Sequence, residues 1–338
     1  MPVKPITVLY KKVKQLYFGE KQDILADEDT VITARDIYKT FKKKGYKASL
    51  FEVDEKSVGK IKDLKTDFLF NLCGGIGSIP DSEHEAAKFI ETAGIPYSGA
   101  NSESILLTNN KVKTKELFVK YKIPTARFFK LKKATDEIPK IKFPLIIKPS
   151  NTHCSFGIHG DSVVTSISKL RKKAKQIIDE YKGPALIEEY IDGRELNIAM
   201  LGNGKNVKML PISEIIFGDS YKKSKWKIVD FAAKWEEGSV NYHQTNGVCP
   251  ADLPAKIVRQ IEKLCLLAYE KICDNPGYCR FDLRLSPQNK IYFLEINVNP
   301  DISNGMGASR SAKAAGYDYP EFLEKIVEVS CQKFYHEL

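Results

Sequence analysis

The residues best suited to chemistry lie in one segment, RFDLRLSPQNKIYFLEINVNP, which covers residues 280–300. Two stretches with a period of two flank Ser-Pro-Gln-Asn, a typical turn sequence, so the segment predicts a β-hairpin. In the first strand, alternation places three charged side chains on one face, namely Arg280, Asp282 and Arg284. The hairpin is therefore expected to present a compact group of charges.

The second strand adds a carboxylate and an amide to this group. Its alternation places Glu295 and Asn297 on the same face as Phe293, and tight pairing sets Asp282 opposite Phe293. Asp282 then lies diagonal to Glu295, roughly 7–8 Å away. Oxygen ligands at this spacing suit one or two hard cations and favour Mg²⁺ bridged to phosphates, with Mn²⁺ as an alternative. The other interpretation is a surface hairpin with ordinary charges.

The composition is that of a globular chain, with 43% hydrophobic and 28% charged residues among 338. This length suits two or three packed subdomains. No stretch of about 20 apolar residues predicts a membrane span, and the first residues lack the pattern of a signal peptide. Seven cysteines, an odd number without paired spacing, favour a reducing compartment. We therefore expect a cytoplasmic protein without a membrane partner.

The net charge of +10 comes from lysine runs spread along the chain. These runs contain no interleaved aromatic residues and no nucleic-acid-binding motif, so we interpret them as a solvated basic surface and expect no nucleic-acid partner. Such a surface would steer an anionic small molecule such as a nucleotide. A nucleic-acid binder remains the rival interpretation of the charge, and it predicts steep salt dependence.

Helices alternate with buried strands over residues 1–105, which predicts a doubly wound parallel layer of the α/β class. Apolar runs rich in β-formers cover residues 6–10, 48–53 and 67–72, and a helix is expected from about Thr30 to Lys44.

The middle of the chain is mostly strands. There, Lys148 precedes a loop of small residues, 151–160, which suits a cover over phosphates. Glu195 alternates out of an apolar strand, which by itself is typical of an exposed polar side chain.

These motifs, in their order, resemble the ATP-grasp superfamily, and within it the D-alanine–D-alanine ligase-like proteins. The resemblance covers roughly residues 67–330, and its motifs are IPYSGANSESILLTNNKVKTKELFVKYKIPTA, FPLIIKPS, ALIEEYIDGREL, DFAAKW, the hairpin, and SAKAAGYDYPEFLEKIV. It implies an ATP-grasp architecture of three subdomains, with α+β organisation after the α/β N-terminal layer. The predicted boundaries are 1–105, 106–184 with the phosphate lid, and 185–338 with the metal site.

The resemblance implies ATP and two Mg²⁺ ions as cofactors. Lys111 and Lys148 match the lysines that hold the α- and β-phosphates. Glu195 matches the residue that binds the ribose hydroxyls, which reverses its interpretation as an exposed side chain. The adenine edge is expected to be read by the hinge backbone, formed by Glu188, Glu189, Tyr190 and Ile191.

The resemblance also implies a ligase reaction, in which a carboxylate attacks ATP and an amine then attacks the resulting acyl phosphate. Lys234 matches a lysine near the γ-phosphate, Arg280 the arginine that stabilises the transferring group, and Ser155 a phosphate-contacting serine of the lid. The matching metal ligands are Asp282, Glu295 and Asn297. The expected partners are small carboxylates and amines such as amino acids, and a homodimer is compatible with the family.

Departures from the family pattern fall on the substrate side. Residues 72–80 contain no histidine where the family has a His-Gly motif, and Cys154 replaces a lid serine. Trp235 replaces a tyrosine, which predicts loss of the hydroxyl and its hydrogen bond. Asp301 replaces a glycine, and Arg310 stands where the acceptor carboxylate would be held. We therefore expect changed substrates, with Asp301 favouring a cationic amine and Arg310 holding a carboxylate.

A protein of another class would also explain these motifs: a regulatory protein that binds ATP but has lost ligation. The complete set of lysines, arginine and metal ligands favours an active enzyme instead. A screen that finds ATP binding without turnover would favour the regulatory protein.

Overall fold

The computed structural model describes residues 5–152, 154–219, 221 and 226–335, so residue 153 of the predicted lid lies outside the described residues. The strands are β1 (Ile6–Tyr10), β2 (Ala48–Glu52), β3 (Phe68–Leu72), β4 (Phe128–Leu131), β5 (Leu145–Pro149), β6 (Val163–Val164), β7 (Ala185–Glu189), β8 (Arg194–Leu201), β9 (Lys208–Met209), β10 (Ser213–Phe217), β11 (Thr245–Val248), β12 (Tyr278–Leu285) and β13 (Ile291–Asn297). The helices are α1 (Ile24–Lys43), α2 (Glu83–Thr92), α3 (Ser102–Thr108), α4 (Lys111–Lys120), α5 (Ile167–Tyr181), α6 (Phe231–Trp235), α7 (Val240–His243), α8 (Ala255–Ala268), α9 (Gly307–Ala314) and α10 (Tyr319–Tyr335). Within these residues, no helix is long and apolar enough to cross a membrane.

The N-terminal layer is a parallel sheet in the order β2-β1-β3. Apolar side chains cover both of its faces: Val8 and Phe70 pack with Phe41 of α1, while Leu9 and Leu69 pack on the other side. This arrangement confirms the predicted doubly wound layer. Helix α1 begins at Ile24 rather than near residue 30. The prediction missed its first turns because the polar run ADEDT has no apolar period.

The central sheet is antiparallel, in the order β4-β7-β5-β6. Helix α5 lies against it and buries Leu170, Ala174 and Ile177 in a core shared with the strands. Strand β7 pairs with both β4 and β5, although residues 185–189 were predicted in the C-terminal subdomain. Backbone pairing therefore assigns this strand to the central sheet, and the remaining subdomain boundaries stay predictions.

The C-terminal sheet is also antiparallel, in the order β11-β10-β8-β12-β13, and β9 pairs with β8. Helix α8 packs its apolar stripe of Ile257, Ile261 and Cys265 into the core under this sheet, where Phe281 and Leu283 are also buried. The inner strand β12 pairs with β8 along its whole length. The charged face of β12 is therefore held on a fixed surface.

The predicted hairpin forms from β12 and β13, but its register differs from the expectation. Asp282 pairs directly with Glu295, whereas Leu283 pairs with Phe293, so Leu294 is an extra residue in a β-bulge. The bulge reverses the alternation along β13. Phe293 consequently points into the core, fully buried against Phe281, with ring centroids 5.8 Å apart. The prediction that Glu295 shares a face with Phe293 and lies diagonal to Asp282 was wrong for this reason.

Candidate active site

A cavity lies between the central and C-terminal sheets. Its walls include Lys148 of β5, Glu188 of β7, Glu195 of β8 and Glu295 of β13. A larger, open cleft adjoins it, shares Glu295 with it, and reaches between the N-terminal layer and the C-terminal sheet. The structure thus brings most of the predicted nucleotide residues to the cavity and the predicted substrate residues to the cleft.

A buried ion network joins the two strands of the cavity wall. The Glu188 carboxylate accepts ion pairs from Lys148 through one oxygen and from Lys115 through the other. Burial raises the pKa of Glu188, but Lys115 and Lys148 outweigh it and hold that pKa below its ordinary value. Sequence reasoning missed Lys115, although its spacing of four residues from Lys111 on helix α4 places both on one helix face.

Lys111 occupies the first position of helix α4, whose N-cap Asn110 accepts a hydrogen bond from the backbone N–H of Lys113. Its ammonium group donates to the carbonyl of Thr152, at the start of the lid loop. Its backbone N–H donates to Ser150 at 2.9 Å. Burial lowers the pKa of Lys111, and Lys148 adds to this effect. The helix start and the base of the lid are therefore tied together beside the cavity.

Glu195 is held by the guanidinium of Arg284, a contact that the sequence did not predict. Arg284 donates to Glu195 Oε2 at 2.7 Å and to the carbonyl of Lys227 at 2.6 Å. Burial raises the pKa of Glu195, and Asp282 raises it further. The alternation that places Arg284 on the face of Asp282 was the available signal for this contact.

The predicted metal ligands lie together on the hairpin. Asn297 Nδ2 lies 3.0 Å from Asp282 Oδ2 and 3.4 Å from Glu295 Oε1. Arg280 contacts Asp282 through two hydrogen bonds of 2.8 and 2.9 Å, and Asn197 donates to Asp282 Oδ1 at 2.8 Å. The side chains therefore form one polar group of oxygen-bearing ligands and a guanidinium.

This group fits a hard cation by its donor set. Two carboxylates converge, and rotation of the Asn297 amide would present its oxygen beside them, since amide orientation is assigned from the hydrogen-bond network. In the described part of the chain, no group of three or more His, Cys, Asp or Glu side chains is arranged to hold a metal. A cation at the hairpin would thus need the amide oxygen as its third protein ligand.

Cationic side chains from separate elements surround Glu295. Burial raises the pKa of Glu295, but Lys111, Lys234, Lys148 and Arg280 outweigh it and hold the pKa well below the ordinary value. Lys234 is positioned by helix α6, whose N-cap is the buried Asp230; its Oδ1 accepts from the N–H of Ala233 at 3.0 Å. The carboxylate is therefore ionised at neutral pH.

The lid loop lies against the segment that leads into helix α6. Ser155 donates its hydroxyl to the carbonyl of Val229 at 3.0 Å, and the N–H of Phe231 donates to Ile158 at 2.9 Å. Trp235 Nε1 donates to the carbonyl of the exposed Cys154 at 2.9 Å. Trp235 therefore supplies a hydrogen bond to the lid backbone through its indole N–H, and the loss of the tyrosine hydroxyl's own bond stays a prediction.

A segment after β1 also reaches the lid, which nothing in the sequence indicated. Glu20 pairs with His159 at 2.8 Å, and the N–H of Gly19 donates to Glu180 at 2.9 Å. Tyr181 donates its hydroxyl to the buried Asp23 at 3.1 Å. We call residues 11–23 the bridging segment, because it connects the N-terminal layer with the central subdomain.

The two predicted substrate residues beyond the hairpin are engaged in the protein itself. One oxygen of Asp301 accepts from the N–H and the hydroxyl of Ser303, at 2.8 and 2.6 Å. Arg310 donates to Ser213 at 2.8 Å and to the carbonyl of Gly305 at 2.9 Å. Its guanidinium lies against Gly247, where an added Cβ atom would come within 1.9 Å of it, so a larger residue there would displace the Arg310 side chain. Both side chains line the cleft.

Two antiparallel sheets that enclose a lysine-lined cavity, with paired carboxylates of a hairpin at its edge, define an ATP-grasp protein. The sequence profile described as "D-ala D-ala ligase C-terminus" matches residues 117–328, and the chain belongs to that family. The membership confirms the predicted class, an ATP-dependent ligase that forms carbon–nitrogen bonds.

The chain is also similar to curated relatives and, in its fold, to a solved structure. The chain is 30% identical to the uncharacterized protein y4sG of Sinorhizobium fredii, over 79% of this chain and 75% of that protein. It is 27% identical to the D-alanine–D-alanine ligase of Bordetella avium, over 97% of each chain. The structure of the D-alanine–D-alanine ligase from Bacillus anthracis complexed with ATP superposes with a TM-score of 0.77, at 22% identity and with all of both chains covered.

Proposed function

We propose that the protein joins a carboxylate to an amine through an acyl phosphate made from ATP, and that its substrates differ from two D-alanines. The observation that carries the proposal is the meeting of Lys111, Lys148, Lys234 and Arg280 around Glu295, where the cavity joins the cleft. Anionic oxygens transferred at this junction would be stabilised by cations that are already in place.

In this proposal the nucleotide occupies the cavity. Lys111 and Lys148 bind the α- and β-phosphates, and Glu195, oriented by Arg284, accepts from the ribose hydroxyls. The N–H groups of Glu189 and Tyr190 already donate to Arg127 and Pro144. The adenine edge is therefore left with the hinge carbonyls and the N–H of Ile191.

The ligation proceeds in two displacements. A substrate carboxylate oxygen bonds to the γ-phosphorus as the bond to the ADP oxygen breaks. The amine nitrogen then bonds to the acyl carbon, phosphate leaves, and the amine loses a proton to solvent. Lys234 and Arg280 stabilise the charge on the transferred group, and the lid excludes water that would hydrolyse the acyl phosphate. Mg²⁺, held by Asp282, Glu295 and Asn297, would neutralise phosphate charge when bound.

The substrate side of the cleft supports a cationic amine and a carboxylate. Burial together with Asp301 and Glu237 raises the pKa of Asp29 to about 6, so acidic groups from three segments face one region. Asp301 is exposed and lines the cleft, so its carboxylate extends that acidic region. Arg310 supplies a guanidinium to the same cleft. Burial lowers the pKa of Arg310, and the nearby Arg280 lowers it further. The acidic region would bind a cationic side chain, which alanine lacks, whereas Arg310 would bind the carboxylate that every amino acid carries.

A pairwise amino-acid screen tests the proposal. With ATP and Mg²⁺ present, we expect ADP release to rise with at least one pair that includes a basic amino acid, and mass analysis to find the condensed product. D-alanine alone serves as the matched comparison. The substrate proposal is overturned if D-alanyl-D-alanine is the best product, and the ligase proposal is overturned if the protein binds ATP but no pair gives turnover.

A further inference from the structure

We propose that Lys115 is a positioning residue that keeps the Glu188 carboxylate paired, so that Lys148 can turn to the nucleotide phosphates. The inference rests on the proposed role of Lys148 in binding ATP. Lys115 itself does not touch the nucleotide cavity: it is fully buried and is not among the cavity-lining residues, whereas Lys148 and Glu188 are.

The contacts of Lys115 fix it away from the ligand. Its ammonium group pairs with one oxygen of Glu188, donates to Thr125 Oγ1 at 2.7 Å, and lies 3.4 Å from the carbonyl of Phe293. These acceptors account for the three N–H bonds of an ammonium. Lys115 therefore has no donor left for a phosphate, and its positive charge balances the carboxylate of Glu188.

Lys148 has a different geometry, although it pairs with the same carboxylate. Its ammonium group contacts the other oxygen of Glu188 and faces the cavity from strand β5. When a phosphate binds, Lys148 can share or exchange this carboxylate partner. Glu188 is almost fully buried, and a buried carboxylate without a partner is strongly disfavoured. Lys115 removes that penalty because it stays with Glu188 in both states.

Without Lys115, Glu188 would depend on Lys148 alone and would compete with the phosphates for it. We expect Lys115→Met to weaken binding of a non-hydrolysable ATP analogue with Mg²⁺ by at least tenfold, and to raise KM for ATP more than it lowers kcat. The double variant Lys115→Met/Glu188→Gln removes the competing carboxylate as well. We expect it to recover most of the lost affinity for the analogue.

Calorimetric titration of the analogue measures these affinities, and thermal unfolding checks that each variant folds. Lys120→Met, at the exposed end of the same helix, is the matched control and should bind as the wild type does. Lys115→Gln, which retains a donor for Thr125, replaces the methionine variant if that fails to fold, and the same tenfold loss is expected.

Two outcomes would overturn the inference: unchanged affinity in the Lys115 variants, or equal losses in the single and double variants, which would indicate a packing role alone. Because the readout is binding, absence of ligation in the amino-acid screen would refute the proposed reaction without affecting this result. A wild-type protein that fails to bind the analogue would refute both.

Discussion

The single carboxylate of Glu295 is a group on which four cations converge. Lys111, Lys148, Lys234 and Arg280 come from four elements and together hold its pKa below the ordinary value against the effect of burial. No strand or helix by itself would assemble these charges. The convergence makes Glu295 the most direct residue for a test of the site.

We expect Glu295→Gln to lower ATP-dependent ADP release by at least about 100-fold, comparable with the loss of one key electrostatic group in an active site. The amide keeps the size of the side chain but removes the charge that balances the surrounding cations. Steady-state ADP release at saturating Mg²⁺ measures the effect, with thermal unfolding as the check on folding. Full activity in this variant would mean that the metal assignment is wrong.

At the scale of elements, the β-bulge at Leu294 decides which way β13 presents its side chains. Sequence alternation predicted both strands of the hairpin but assumed one unbroken period over IYFLEIN, which put Glu295 and Asn297 on the face of Phe293. A strict period cannot include a bulge, and the strand pairing that creates the bulge is a tertiary property. Contacts such as Lys115 with Glu188 were likewise invisible until β7 and helix α4 were brought together.

Deletion of Leu294 tests the bulge directly. Without the extra residue, either Glu295 turns away from the cavity or Phe293 leaves the core, so we expect loss of ATP-dependent turnover together with a lower unfolding temperature. Leu294→Ala is the control, because it keeps the register and should retain the greater part of the activity. A deletion variant with normal turnover would show that the register of β13 does not position the site.

At the scale of the whole molecule, the bridging segment links the N-terminal layer to the central subdomain. Asp23 lies in this link and is 2% exposed, and burial raises its pKa from 3.8 to about 6. The charged and titratable groups that face it are Tyr181 and Glu20, with His159 nearby. Because Asp23 binds its proton more tightly in the folded protein, its stabilising effect is complete below pH 3.8 and is lost as the pH rises through about 6.

We therefore expect the wild type to lose stability relative to Asp23→Asn as the pH is raised from 3.8 to about 6, and the difference between the two proteins to level off above that. The asparagine keeps an acceptor for Tyr181 but cannot ionise. The difference in unfolding temperature between the two proteins should move by a few degrees, since each kcal/mol corresponds to about 2–4 °C in chains of 150–250 residues. Thermal unfolding at matched ionic strength measures it, and parallel curves for the two proteins would refute the assignment.

Three cations that line the cavity or the cleft are paired within the protein. Thr152 accepts from Lys111, Glu188 from Lys148, and Asp282 from Arg280. In the proposed binding mode, the nucleotide phosphates would replace these internal partners. The affinity for a nucleotide would then be the difference between two sets of bonds, and the internal pairs spare the protein a cluster of unpaired, mutually repelling cations.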